Sequence, residues 1–373
     1  MIDKAVRPEI RSMTRPRHGG DVWNDLSVKD YSSNINPFGP PSMLGQYISE
    51  AAIDLHCYPD DSCTQLKDAI ASHYETNVEN IIVGAGSSEL IRLFAEVFIS
   101  RGDRVVMPSP TFSEYGFGCN LMGAELIEYT LPREQNFDLN VTDLSNQLSG
   151  AKAVYVCNPN NPTGRMTDKN DILRLIEEAA RKETLVFLDE TLLELSSRSS
   201  ELSLVSEVEN YENLFIIRSF TKSFAMPGIR VGYGFGSKEM INYLEAGRLT
   251  WNLGIIEQRV AIRLIEEEQD HVAAAVNMLD EEKLRMHSKV ERLMGEVPMP
   301  DSYFFFAPLN HLGISSSEFR SAMLRHGVLV RDCSSFGNIC SQYTRFCIKT
   351  PDKNDEFLDA LSRAIDDIGE GRL

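Results

Sequence analysis

The chain has 373 residues, 42% of them hydrophobic and 25% charged, which is enough apolar content for a substantial core and more length than one ordinary domain. Its 55 acidic against 37 basic residues leave a net charge of −18, and no basic patch offsets it, which argues against nucleic acid or an anionic membrane surface as a partner. No run approaches the length of a membrane span and the first twenty residues lack the apolar centre of a secretion signal, while seven cysteines without a CxxC pair imply free thiols in a reducing, cytoplasmic setting.

In chain order, residues 1–45 read as an irregular arm, rich in Pro, Gly and Asn around NINPFGPP. A large α/β domain is expected over 46–250. Within it, NIIVGAG is a strand that turns through two glycines into the helix SSELIRLFAEVF, whose free N-terminal amides attract an anion. AKAVYVC is a β-branched strand delivered into the turn NPNNPTG, and TLVFLDE is another that ends at Asp189. Between them, Ile172, Leu175, Ile176 and Ala179 recur at i, i+3, i+4 and i+7, the mark of an amphipathic helix opened by Thr167 or Asp168. A further strand, LFIIRSF, leads to Lys222. The expected fold is therefore α/β with a mostly parallel sheet, and Asn161, Asp189 and Lys222 each fall at or just past the carboxyl end of a strand, where ligand groups gather. From 251 to 373, a long polar-faced helical stretch bridges to a smaller α+β domain whose strands are SYFFFAPL, GVLVRDC and TRFCIKT. Neither repeats nor low-complexity tracts interrupt this order.

The chemistry concentrates on Lys222. A lysine at a strand end, flanked by Ser219, Thr221 and Ser223 and followed eight positions on by Arg230, suits a Schiff base with a phosphorylated aldehyde. The hydroxyls and Arg230 would hold the phosphate, and burial would lower the ammonium pKa so that the amine can attack a carbonyl. Asp189 would pair with a protonated pyridine nitrogen and keep the ring an electron sink, while Asn161 would donate to its phenolic oxygen. The cofactor expected from these roles is pyridoxal 5'-phosphate. Cys333, Cys340 and Cys347 have the wrong spacing for a metal site and read as packing residues, so no metal is expected.

The order GAGSS, PTFSEY, NPNNPTG, LDE, SFTKSF and GIRVGY resembles the class I/II aminotransferase superfamily, fold type I, over nearly the whole chain. The resemblance implies that Lys222 carries the cofactor and that Gly86, Ser87, Ser88, Ser219, Thr221 and Arg230 surround its phosphate. Phe112 would stack on its ring; read alone, Phe112 is equally an ordinary core aromatic. It also implies a homodimer with the active site at the interface, Tyr58 reaching the phosphate of the neighbouring subunit, and an arm packed beside the small domain.

Three further segments, RPRHGGDVWN, DYSSNINPFGPP and VLVRDCSSFGNICSQYTRFCIKT, resemble one branch more closely: the threonine-phosphate decarboxylases of cobalamin biosynthesis. That branch carries a His-Gly-Gly segment, an SxNINPxG loop, a PxFxEY and an arginine before a Ser/Asp-Cys pair, which stand here at His18, Asn34, Phe112 and Arg331. The resemblance implies that His18 and Arg331 hold a substrate phosphate, that Arg345 meets the α-carboxylate and that Asn34 orients the substrate. Without it, His18 reads as an exposed loop histidine and the two arginines as surface ion-pair partners. The implied reaction is decarboxylation of O-phospho-L-threonine to (R)-1-aminopropan-2-ol phosphate. The alternatives are a histidinol-phosphate aminotransferase and a phosphoserine decarboxylase, the latter because a hydrophobic pocket distinguishes one methyl group by only about 1–3 kcal/mol. Three positions depart from the pattern: Leu192 replaces a frequent aromatic that donates to the phenolic oxygen, Asp21 replaces an asparagine after the two glycines, and Lys349 stands where an arginine is usual.

Overall fold

The computed structural model describes residues 1–11, 13–21, 25 and 27–372. Its strands are β1 (Lys29–Asp30), β2 (Ile81–Gly84), β3 (Arg104–Ser109), β4 (Glu125–Thr130), β5 (Ala151–Cys157), β6 (Leu185–Asp189), β7 (Leu214–Ser219), β8 (Gly232–Gly236), β9 (Phe304–Pro308), β10 (Val328–Leu329), β11 (Arg331–Asp332) and β12 (Tyr343–Cys347). Seven of them form one sheet in the order β2-β8-β7-β6-β5-β3-β4. All neighbours in it are parallel except β8, which runs antiparallel to β2 and β7.

This sheet is covered on both faces, and its central strands accordingly read as nearly continuous apolar runs. Alternation along β5 sends Val154 and Val156 into one core and Ala153, Tyr155 and Cys157 into the other. The helix Lys169–Arg181 covers the first face with Ile172, Leu175, Ile176 and Ala179, all buried. Each large aliphatic among them contributes roughly 2 kcal/mol by leaving water. Because β5, β6 and β7 lie side by side and parallel, their carboxyl ends come out together along one edge of the sheet.

A second, three-stranded antiparallel sheet has the order β11-β12-β9. The segment expected to be one strand, GVLVRDC, is divided: β10 pairs with β1 and β11 with β12, the chain changing partner at Val330. The arm also differs from expectation. It contains the short helices Ile2–Ala5 and Pro8–Arg11, and β1 pairs in parallel with β10, with Lys29 N–H donating to Gly327 O at 2.8 Å and Tyr31 N–H to Leu329 O at 2.8 Å. A two-residue strand has no periodicity of its own, and its partner lies about three hundred residues away. The long helical stretch is two helices, Ile255–Glu267 and Gln269–Met294. At the break, φ of Glu268 is −115°, outside the helical range, and the carboxylates of Glu267 and Glu268 both accept from the Tyr47 hydroxyl. Among the described residues no helix is long and apolar enough to cross a membrane.

Candidate active site

The carboxyl ends of β5, β6 and β7 open into a cavity of about 590 Å³, closed on its other sides by the arm and by β11 and β12. Asn161 comes from the turn after β5, Asp189 is the last residue of β6, and Lys222 lies three residues past β7. The turn carrying Lys222 is fixed from two directions. Ser219 Oγ accepts from Thr221 N–H at 3.2 Å, and the arm's Asn36 donates its backbone N–H to Lys222 O at 2.9 Å and its side-chain amide to Ser223 O at 2.8 Å. A larger cavity, about 860 Å³, lies behind this turn. Its buried cation Arg218 is already paired with Glu190 at 2.7 Å and Glu194 at 3.5 Å, so it offers an anion no free charge. The chemistry therefore belongs to the smaller cavity.

On the large-sheet side, Asp189 is 4% exposed. Tyr115, itself fully buried, donates its hydroxyl to Asp189 Oδ2 at 2.5 Å, and Thr191 N–H donates to Oδ1 at 2.8 Å. Burial pushes the Asp189 pKa up, against the two donors, which hold it down. For Lys222, burial first and the nearby charges of Arg345 and Arg230 next bring the amine down to about 8. The helix Ser87–Phe98 has its N-terminus at the cavity, with Ser87 and Ser88 on the wall. Gly86 precedes it with φ of +80°, and a Cβ there would lie 2.5 Å from Arg230 Nη2. Only glycine lets the guanidinium close over the helix start.

On the small-sheet side, the antiparallel register sets Arg331 directly opposite Arg345. Both are buried, at 5% and 6% exposure. Arg331 Nη2 donates to Arg17 O at 2.6 Å and to Ser335 Oγ at 2.7 Å. Arg345 donates to Asn161 Oδ1 and, at 2.6 Å, to Ser32 O, while its Nε has no partner among the described residues. Neither arginine has a carboxylate partner among the described residues. Burial, and for Arg345 also the charge of Arg331, lowers both pKa values, that of Arg345 to about 10. Like charges set opposite one another across a sheet are destabilising, so the pair is suited to an anionic ligand. Asn34 is buried beside them and its Oδ1 also lacks a partner among the described residues. His18 lines the cavity mouth with its ring 5.8 Å from that of Phe112, and its Nε2 is 2.7 Å from Glu114 Oε1. Asp21 pairs with Arg320 at 2.8 Å, and its charge also acts on Arg331.

Of the sequence-predicted residues, Lys222, Asp189, Asn161, Ser87, Ser88, Phe112, Ser219, Thr221, Arg230, His18, Asn34, Arg331 and Arg345 line this one cavity. Gly86 borders it beneath Arg230. Tyr58 does not join it: within one chain it is 78% exposed and lies against Trp251, ring centroids 4.6 Å apart. Lys349 also stands apart, its Nζ 5.5 Å from the centre of the Tyr31 ring. The sequence reading passed over Tyr115, Thr191, Asp30 and Ser32. A polar-tipped aromatic three residues after Phe112 was the one local signal for Tyr115; the others show nothing until the chain is folded.

The residues fit pyridoxal phosphate. Asn161 has its oxygen engaged by Arg345, and its amide N–H groups have no acceptor among the described residues, so they can donate as a phenolate requires. Asp189 faces the cavity as a buried carboxylate, Lys222 supplies the amine, and the glycine-led helix start with Arg230 supplies an anion cradle.

The family profile "Aminotransferase class I and II" matches residues 26–361. A histidinol-phosphate aminotransferase of Ruminiclostridium cellulolyticum is 31% identical over 97% of this chain and 98% of its own length. A Caldanaerobacter subterraneus protein provisionally named threonine-phosphate decarboxylase is 32% identical over 95% of each chain. The crystal structure of the histidinol-phosphate aminotransferase from Clostridium acetobutylicum superimposes with a TM-score of 0.84 at 28% identity, covering 91% of this chain and all of that one.

Proposed function

We propose a reaction from one premise: this chain belongs to the aminotransferase class I and II family and is an enzyme dependent on pyridoxal phosphate. The reaction is decarboxylation of O-phospho-L-threonine to (R)-1-aminopropan-2-ol phosphate, the linker of the cobalamin nucleotide loop. The observation that carries it is the pair of buried guanidinium groups, Arg331 and Arg345, set opposite each other with no carboxylate partner among the described residues. An amino acid with a phosphate on its side chain brings two anionic groups, and planar guanidinium forks bind both.

In this reading Arg331 and His18 receive the phosphate, Arg345 receives the α-carboxylate, and Asn34 Oδ1 accepts from the substrate. Arg345 is tied to Asn161, so the residue that holds the carboxylate and the one that meets the ring oxygen move together. When bound, the cofactor supplies an electron sink for the pair released at the substrate α-carbon. Asp189, held by Tyr115 and Thr191, would pair with its ring nitrogen and keep a proton there. As the bond between the α-carbon and the carboxyl carbon breaks, carbon dioxide leaves and the α-carbon takes up a proton. Tyr115 commits its hydroxyl hydrogen to Asp189, and in this reading Lys222 Nζ supplies that proton. Leu192, buried on the cavity wall, offers no hydroxyl where aminotransferases of this kind often keep one, and this favours loss of carbon dioxide over transamination.

The protein is read as a homodimer, with the exposed apolar residues Ile53, Leu55, Tyr58, Leu249 and Trp251 covered by a second copy and Tyr58 serving the partner's cofactor phosphate. A second reading, a histidinol-phosphate aminotransferase using 2-oxoglutarate, is favoured by the names of relatives such as the one from Ruminiclostridium cellulolyticum. The first reading is tested with the purified holoenzyme: kcat/KM for O-phospho-L-threonine is expected to exceed that for L-threonine by about 100-fold or more, the scale of a lost charge-assisted contact to a buried arginine. Equal use of the two would remove the reading.

A further inference from the structure

The arm that carries His18 is not merely draped over the cavity; it is attached there through Ser32, which is 1% exposed. Asp30 Oδ1 accepts from Ser32 N–H at 2.7 Å and from Ser32 Oγ at 2.6 Å. With its one hydrogen given to Asp30, the Ser32 hydroxyl presents lone pairs, and Gly20 N–H donates to it at 2.9 Å. The carbonyl of the same residue accepts from Arg345 Nη2 at 2.6 Å. A single residue thus binds the arm through its side chain and Arg345 through its backbone. The arm reaches the other arginine as well, since Arg17 O accepts from Arg331 Nη2 at 2.6 Å.

The fit is tight enough to dictate a glycine. A Cβ on Gly19 would lie 2.8 Å from Ser32 Oγ and 3.1 Å from Ser32 O, so any side chain at this position pushes the arm off its seat.

We propose that Ser32, oriented by Asp30, is a positioning residue that fixes the arm, and with it His18, relative to Arg345, and so sets the span between the phosphate end and the carboxylate end of the substrate site. The proposal rests on the reading that His18 and Arg331 take a phosphate and Arg345 a carboxylate. Ser32 touches neither end of the substrate itself; it acts through Gly20 and Arg345.

The test is steady-state kinetics of the holoenzyme with whichever phosphorylated substrate it turns over, O-phospho-L-threonine or histidinol phosphate. Ser32→Ala is expected to raise KM about fivefold, the worth of one or two hydrogen bonds, with kcat within about twofold and the cofactor absorbance unchanged. Gly19→Ala, which keeps the hydroxyl but displaces the arm, is expected to raise KM in the same way. The double variant Gly19→Ala/Ser32→Ala is expected to lose less than the product of the two single losses, because removing Oγ clears the closest obstacle to the new methyl while Ser32 O at 3.1 Å stays in place; independent losses would multiply instead. Unchanged KM in both single variants, multiplying losses in the double, or a fall in kcat with KM unmoved overturns the proposal. Arg331→Ala in the same assay separates the two levels. A raised KM there with Ser32→Ala and Gly19→Ala silent removes the latch alone, whereas an unmoved KM for Arg331→Ala removes the phosphate reading and the latch with it.

Discussion

On the side of the cavity built by β6, the buried carboxylate of Asp189 accepts hydrogen bonds from Tyr115 and Thr191, whereas on the side built by β11 and β12 two buried arginines stand opposite each other and, among the described residues, donate only to neutral acceptors. The first side is preorganised by its own protein contacts and changes little whatever enters. The second holds two cations near one another in a dry place, an arrangement whose cost is offset when an anion arrives. In the proposed reading the floor prepares the chemistry and the wall selects the substrate. On that reading a chain with a net charge of −18 would receive an anionic substrate on positive charge that is local and buried.

The sharpest way to break this comparison is to remove the reactive group on the floor. Lys222→Ala should lower turnover by about a thousandfold or more while the phosphorylated substrate still binds, since the wall is untouched. Kinetics and substrate binding by calorimetry measured side by side separate the two effects. Next in size is the wall: Arg345→Ala leaves Asn161 and Ser32 without their donor and should reduce kcat/KM by about 30- to 1000-fold, the scale of a lost buried charge contact of about 2–4 kcal/mol. Wild-type kinetics in that variant would mean that the opposed arginines bind nothing.

The pH response of Lys222 connects floor to wall. Burial and the neighbouring cations set its amine near 8, below the ordinary lysine value of 10.5, so its neutral form dominates above about pH 8 and falls about tenfold per unit below it. Uptake of pyridoxal phosphate by the apoprotein should therefore rise with pH and level off above about 8. In Arg345→Met, with one of the two named cations gone, the midpoint should move upward. The same shift has a stability consequence with a definite sign: between about 8 and 10.5 the unfolded chain holds the Lys222 proton that the folded chain has released, so this group makes the apoprotein more stable as pH rises through that window. The smallest expected effect is on the floor's support. Tyr115→Phe removes the hydroxyl donated to Asp189 and should weaken cofactor binding about fivefold, the worth of roughly 1 kcal/mol, with little change in KM for substrate.

Much of the floor was legible in the sequence because its parts are local. β5, β6 and β7 are apolar runs with the reactive residue at or just after each end, and the helix Lys169–Arg181 shows its buried face in the spacing of Ile172, Leu175, Ile176 and Ala179. The wall was legible only as residue types in motifs. That Arg331 and Arg345 stand opposite one another depends on the β11–β12 register, which no local pattern announces. Ser32 and Arg345 meet across 313 positions, and Tyr115 and Asp189 across 74, so their hydrogen bonds exist only once the sheet and the arm are assembled. The divided strand at Val330 has the same origin: a single apolar run serves two partners, one of them the arm.

The most direct measurement is a product assay on purified holoenzyme given O-phospho-L-threonine labelled at its carboxyl carbon, run beside histidinol phosphate with 2-oxoglutarate. Labelled carbon dioxide from the first mixture and no glutamate from the second is the expected result. Glutamate from the second with no carbon dioxide from the first would contradict decarboxylation and make Leu192 compatible with amino transfer.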